Sequence, residues 1–229
     1  LNRREEGKEG SSFYSPVFFF ASLLPFFSTS ILKMKFAIIN YGSGNIQSVK
    51  FALERLGVSS VVTDEADEIK SADKIIFPGV GEASFAMKNL REKKLDVVVR
   101  ELKQPVLGIC LGMQLLCESS EEGNTAGIGV FKTKVKKFQS GDPQFKIPQM
   151  GWNSISGLKG PLFNGIPENS FVYYVHSYYA ELCENNSATT NYILSYAAAL
   201  SKGNFHAVQF HPEKSGLAGE RILRNFIEL

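Results

Sequence analysis

Val106-Leu107-Gly108-Ile109-Cys110-Leu111-Gly112-Met113-Gln114 reads as a buried strand that delivers a side chain at a sharp turn and passes at once into a helix. Val106 to Ile109 is the apolar strand, Cys110 stands at its end, and Leu111 to Glu118 continues as helix. Glycines on both sides of the cysteine let backbone and substrate approach closely. The helix N-terminus adds free N–H groups and a positive dipole end, which lower a thiol pKa from about 8.5 and stabilise an oxyanion. Cys110 is therefore the candidate nucleophile.

Upstream, short apolar runs alternate with helical periodicity. Phe36-Ala37-Ile38-Ile39, Val58–Thr63 and Lys74-Ile75-Ile76-Phe77 read as strands. Ile46, Val49, Leu53 and Leu56 recur at helical spacing before Gly57, and residues 82–103 are helical in character. Strands separated by helices predict an α/β fold with a mostly parallel central sheet and flanking helices. Downstream the pattern turns β-rich, with strand-like stretches at Gly127–Phe138, Phe171–Leu182 and Tyr192–Ala199. An amphipathic C-terminal helix over Leu217–Leu229 has Leu217, Ile222, Leu223, Phe226 and Ile227 as its apolar positions.

The 229 residues carry 25 basic and 23 acidic groups, a net charge of +2 that points away from a polyanionic partner. Three cysteines are too few for a disulfide scaffold and suggest a reducing, cytoplasmic setting. Residues 1–33 read differently, holding seven of the aromatics and the apolar run Val17–Phe27, broken by Pro25. Eleven helical residues span roughly 16 Å, short of a bilayer core. Glu5, Glu6 and Glu9 also spoil the basic region that a signal peptide needs. The expected organisation is an extension over 1–33 with no folding role, Met34 as the biological start, and one domain over 34–229. No metal-ligand spacing occurs, and no cofactor is implied.

A cysteine nucleophile needs a base. His211 ends an apolar strand in Gln209-Phe210-His211-Pro212-Glu213, with Glu213 placed to orient the imidazole. His206 reads as an ordinary hydrogen-bonded histidine, and His176 as a loop-positioning one. Cys117, on the helix after Cys110, and Cys183 read as packing residues. Gly42-Ser43-Gly44 lacks the third glycine of a dinucleotide fingerprint.

Pro78-Gly79-Val80-Gly81, Gly108–Gln114 and Gln209–Glu213, in that order, resemble the class I (triad) glutamine amidotransferases, whose fold is flavodoxin-like. Asn40–Asn45, Pro148–Asn153, Tyr173–Tyr178 and His211–Ser215 are similar to the branch formed by the glutaminase subunits of imidazole glycerol phosphate synthases. The resemblance runs from Met34 to the C-terminus. It implies that Cys110 attacks the glutamine amide, His211 moves the proton and Glu213 orients His211. It further implies an oxyanion hole at Val80 and Leu111, and glutamine held by Gly79, Gly81, Gln114, Glu122, Ser177 and Tyr178.

The resemblance also implies a partner, a (β/α)₈-barrel cyclase subunit that receives the ammonia. Asn45, Lys146, Trp152, Asn153, Tyr173 and Lys214 match positions facing it. One departure is Gln149, where relatives commonly carry His. Two alternatives stand beside this reading. One is a glutaminase subunit of the anthranilate or aminodeoxychorismate type, which tends to carry Pro-Gly-Pro-Gly and His-Pro-Glu-Ser. The other is a flavodoxin-like cysteine sensor or binding module without turnover.

Overall fold

The computed structural model describes residues 34–42 and 45–229. The expected extension over 1–33, with its apolar run, and the pair Ser43-Gly44 lie outside the described residues. Strand β1 (Phe36–Ile39) leads through helix α1 (Ile46–Arg55) to β2 (Ser60–Thr63), and α2 (Ala66–Ser71) leads to β3 (Lys74–Gly79). Helices α3 (Ala83–Glu92) and α4 (Leu95–Glu101) precede β4 (Val106–Cys110) and α5 (Leu111–Leu116). Then come β5 (Cys117–Ser120), β6 (Thr125–Ala126), β7 (Phe131–Lys137), β8 (Gln149–Ile155), β9 (Ser170–His176) and β10 (Tyr178–Ala180). The chain closes with β11 (Asn186–Asn191), β12 (Ser195–Lys202), β13 (Phe205–Val208) and α6 (Gly216–Glu228).

The central sheet has the order β11-β12-β13-β4-β3-β1-β2. Pairings from β13 to β2 are parallel, and those of β12 with β13 and β11 are antiparallel. This is the mostly parallel α/β sheet that the sequence predicts. The two-residue period of a strand divides the core into two layers. Ala37, Ile39, Ile75 and Phe77 pack with Met87, Leu90, Val99 and Leu116 on one face. Phe36, Ile38, Ile76, Leu107 and Ile109 pack with Leu53, Ile222, Leu223 and Phe226 on the other. A smaller sheet β10-β7-β5-β6 and the hairpin β8-β9 form the β-rich half.

Several expected boundaries shift. The helical stretch 82–103 is two helices, because Lys94 takes a left-handed conformation (φ 56°) between α3 and α4. Helix α5 stops at Leu116, since Cys117 starts a strand paired with Phe131; Cys117 is thus on β5 and not on a helix, though it is buried as expected. Leu217 is 86% exposed and not part of the apolar face of α6. It precedes the buried Phe226 by nine residues, two and a half turns, which puts it on the opposite side.

Candidate active site

The C-terminal ends of β3, β4 and β13 lie side by side, where open α/β sheets place their ligands. At the end of β4, Cys110 takes φ 54° and ψ −110°, a strained conformation that turns the chain sharply into α5. The turn needs Gly112, because a Cβ there would meet the Phe77 carbonyl oxygen at 1.9 Å. Helix and strand therefore touch backbone to backbone, and the thiol stands at the mouth of the sheet.

Cys110 lines a cleft of about 330 Å³. Val80, Gly81, Leu111, Gln114, Glu122, Ser177, Tyr178, His211 and Lys214 line the same cleft, so most of the expected site residues come together. Gly79 pairs with Cys110 in the sheet, and the residue after each, Val80 and Leu111, the expected oxyanion pair, lines the cleft. Gly79 itself is not in the cleft wall. It is buried, and a Cβ there would meet the Tyr41 hydroxyl at 2.3 Å and the Gly112 nitrogen at 2.9 Å, so only a glycine fits this close packing. Glu122 accepts from the Ala83 N–H at 2.8 Å. Burial holds its carboxyl above the usual range, opposed by that N–H and reinforced by the charge of Glu82.

His211 is buried, with Nδ1 2.8 Å from Glu213 Oε1. A carboxylate only accepts, so Nδ1 carries the proton and Nε2 is left for Cys110. Burial pulls the imidazole down, but hydrogen bonds and charge from Cys110 and Glu213 outweigh it and raise the value to about 10. The histidine is also braced through its backbone. Its N–H donates to the Tyr173 carbonyl at 2.9 Å. Ser215 Oγ donates to the His211 carbonyl at 2.6 Å and accepts from the Tyr173 N–H at 2.9 Å.

His176, read from the sequence as a loop-positioning residue, bonds backbone of the segment that follows it. It is buried in an aromatic box with Phe138, Tyr174 and Tyr196, and its Nδ1 donates to the Tyr178 carbonyl at 2.7 Å. Burial pulls it down to about 4, helped by the charge of His211 and opposed by the Tyr178 carbonyl. Gln149 is buried here and accepts from the Tyr196 hydroxyl at 2.9 Å, so an amide satisfies this box. His206 is buried away from the cleft, with Nδ1 3.1 Å from Ser201 Oγ.

The residues expected at a partner surface divide into two groups. Trp152 is 56% exposed and meets Tyr173 edge-to-face at 5.9 Å between centroids, on the outward side of the β8–β9 hairpin. Met150 and Phe171, 65% and 60% exposed, share that side by strand alternation. Lys146 and Lys214 are exposed as well. Asn153 belongs to the other side of its strand and donates to the Asn191 carbonyl at 2.9 Å. Asn45 is turned inward: its amide donates to Glu213 Oε1 at 2.8 Å. The sequence reading missed this contact, and it missed Gln209, whose amide reaches Cys110. A polar residue inside the apolar run Phe205–Phe210 was the signal for Gln209.

A family profile for class I glutamine amidotransferases matches residues 37–229. The imidazole glycerol phosphate synthase subunit HisH of Bacteroides fragilis is 57% identical over 196 residues, covering 86% of this chain and 100% of the relative. The HisH subunit of Haemophilus influenzae is 48% identical over 192 residues, covering 83% and 96%. Among solved structures, a glutamine amidotransferase superposes with TM-score 0.63 at 20% identity, covering 84% of this chain and 97% of the other, which speaks to the fold. With fold, nucleophile elbow and buried Cys–His–Glu array in agreement, this chain belongs to the class I glutamine amidotransferases, in the HisH family.

Proposed function

We propose that this chain hydrolyses glutamine through Cys110, His211 and Glu213, and passes the ammonia to a (β/α)₈-barrel cyclase subunit. That partner would use it to make imidazole glycerol phosphate and an aminoimidazole carboxamide ribonucleotide in histidine biosynthesis. The observation that carries the reading is His211, buried between the Cys110 sulfur and the Glu213 carboxylate beside a cleft sized for a small ligand. The Cys110 proton passes to His211, and the sulfur forms a bond to the amide carbon of glutamine. The carbonyl oxygen takes up the negative charge against the Val80 and Leu111 N–H groups. Collapse of this intermediate expels ammonia, with its proton returned by His211, and leaves a γ-glutamyl thioester. Water attacks the thioester, His211 takes the water proton, and glutamate leaves as the sulfur is restored.

Gln114, Glu122, Ser177, Tyr178 and the backbone at Gly81 would hold the amino and carboxylate ends of the substrate. The outward face of the β8–β9 hairpin, with Trp152 and Tyr173, would meet the cyclase together with exposed Lys214 and Lys146. A tryptophan left more than half exposed in a monomer supports such an anchor. The catalytic domain would run from 34 to 229, with residues 1–33 outside it. No helix among the described residues is long and apolar enough to cross a membrane, and the cytoplasm suits a free-thiol enzyme.

Coexpression with a candidate cyclase tests this. The complex should copurify and make product from glutamine or from ammonium. Cys110→Ala should abolish glutamine-dependent synthesis and leave ammonia-dependent synthesis largely intact. Persisting glutamine hydrolysis in that variant would sink the mechanism.

A further inference from the structure

Gln209 is fully buried just beyond β13, two residues before His211, and its side chain bridges the nucleophile and a wall of the cleft. Its amide nitrogen lies 3.8 Å from Cys110 Sγ, within hydrogen-bond reach of sulfur. Its oxygen accepts from Gln114 Nε2 at 2.9 Å. The same Gln114 nitrogen donates to the Tyr178 carbonyl, also at 2.9 Å. Donor order in this chain is forced. The Tyr178 carbonyl only accepts, so Gln114 turns its NH₂ toward it. That NH₂ also meets Gln209, which must then present its oxygen to Gln114 and its own NH₂ to the sulfur. The backbone N–H of Gln209 is held by the Ala198 carbonyl at 2.8 Å. A fully buried primary amide is costly unless both ends are used, and here both are.

We infer that Gln209 is a further catalytic residue of glutamine hydrolysis, its amide N–H donating to the Cys110 sulfur and aiming it for attack. This rests on Cys110 being the nucleophile. A thiolate accepts a hydrogen bond more strongly than a thiol. Gln209 has no titratable proton of its own, which leaves proton transfer to His211. As the sulfur spends an electron pair on the new bond to carbon, the N–H contact weakens, and it returns when the thioester breaks. Gln114, which lines the cleft, thereby also sets the geometry at the sulfur.

Two variants of the chain in complex with the cyclase test the inference. Gln209→Glu keeps the shape and the acceptor for Gln114 but puts oxygen in place of the N–H. Gln209→Met keeps the volume without polar ends and covers the case in which a buried Glu fails to fold, with thermal unfolding as the check. The first readout is alkylation of Cys110 by iodoacetamide against pH, followed by peptide mass; the second is glutamine kinetics. His211, Glu213 behind it, His176, Tyr178, Glu122 and Lys214 face the sulfur or its cleft and are the same in every variant. Both variants should alkylate several-fold more slowly at a given pH and lose about tenfold in kcat, with a smaller change in KM. A folded variant with the wild-type alkylation curve and kcat would make Gln209 a packing residue and overturn the inference. A rise in KM at unchanged kcat would also overturn it, by moving the residue's effect to substrate binding through Gln114. Glutamine hydrolysis by Cys110→Ala is a separate outcome, which removes the nucleophile itself.

Discussion

The side-chain amide of Asn45 donates to Oε1 of Glu213 at 2.8 Å, the same oxygen that accepts from Nδ1 of His211. The Glu213 side chain is fully buried, and its Oε2 has no hydrogen-bond partner among the described residues. One oxygen thus takes both donors, and Asn45 fixes the rotation of the carboxylate that fixes the imidazole. A hydrogen bond to a buried charge contributes about 1.5–3 kcal/mol. Asn45→Ala should therefore lower kcat for glutamine by about tenfold or more at saturating partner. Asn45→Asp should cost more, by setting a second carboxylate against a buried one. A loss that vanishes when the partner is saturating would mean that Asn45 acts only in association.

Gly112 carries the backbone contact between α5 and β3. An added Cβ would stand 1.9 Å from the Phe77 carbonyl oxygen, and main chain has little room to yield. Gly112→Ala should cost about 3 kcal/mol of stability through overpacking and displace Cys110 as well. Gly141→Ala is the control, since nothing lies within 4 Å of a Cβ there. Equal thermal midpoints for the two variants would contradict the close approach.

The parallel half of the fold was legible because β1, β3 and β4 are mostly apolar and buried, and glycines mark the ends of β1, α1 and β3. The candidate nucleophile and base were legible for the same reason: Cys110 and His211 both interrupt buried runs at strand ends. Strand β8 was not, because its alternation is inverted. Met150 and Trp152 face outward, while Gln149 is buried and satisfied by Tyr196. Strand β11, Asn-Ser-Ala-Thr-Thr-Asn, looks like a loop in composition, yet Thr190 is buried and bonds the Ser154 carbonyl and the Tyr174 hydroxyl. The break at Lys93–Lys94 carries neither Gly nor Pro. The contact of Asn45 with Glu213 became visible only in three dimensions, because the two lie far apart in sequence, and Gln209 showed in the sequence only as a polar residue within an apolar run.

His176 makes the fold sensitive to acid. Its value is held near 4 against an ordinary 6.5. Between those values the unfolded chain binds the extra proton and the folded one does not. Stability from this residue is therefore fully present above about pH 6.5 and is lost as pH falls toward 4, on the order of 3 kcal/mol in all. His211, raised to about 10, is protonated in both states below 6.5 and adds no slope in that window. Its stabilising contribution is instead lost as pH rises from 6.5 through 10. Urea unfolding of His176→Phe at neutral and acidic pH should show a lower stability at neutrality and a flatter acid limb. An unchanged acid slope would remove His176 from this role.

Trp152 separates association from folding. It is 56% exposed and rests edge-on against Tyr173, whose backbone is tied to His211 and Ser215. Truncating a side chain this exposed should cost the free chain less than about 1 kcal/mol. At the centre of an interface the same truncation commonly costs about 2 kcal/mol or more, roughly thirtyfold in Kd. Trp152→Ala should therefore leave the thermal midpoint nearly unchanged while weakening binding to the cyclase subunit by about that factor. Titration calorimetry gives the affinity, and ammonia-dependent synthesis reports that the partner itself is intact. Wild-type affinity in the variant would take Trp152 out of the interface and leave Met150 and Phe171 on the same face as the anchors to truncate next.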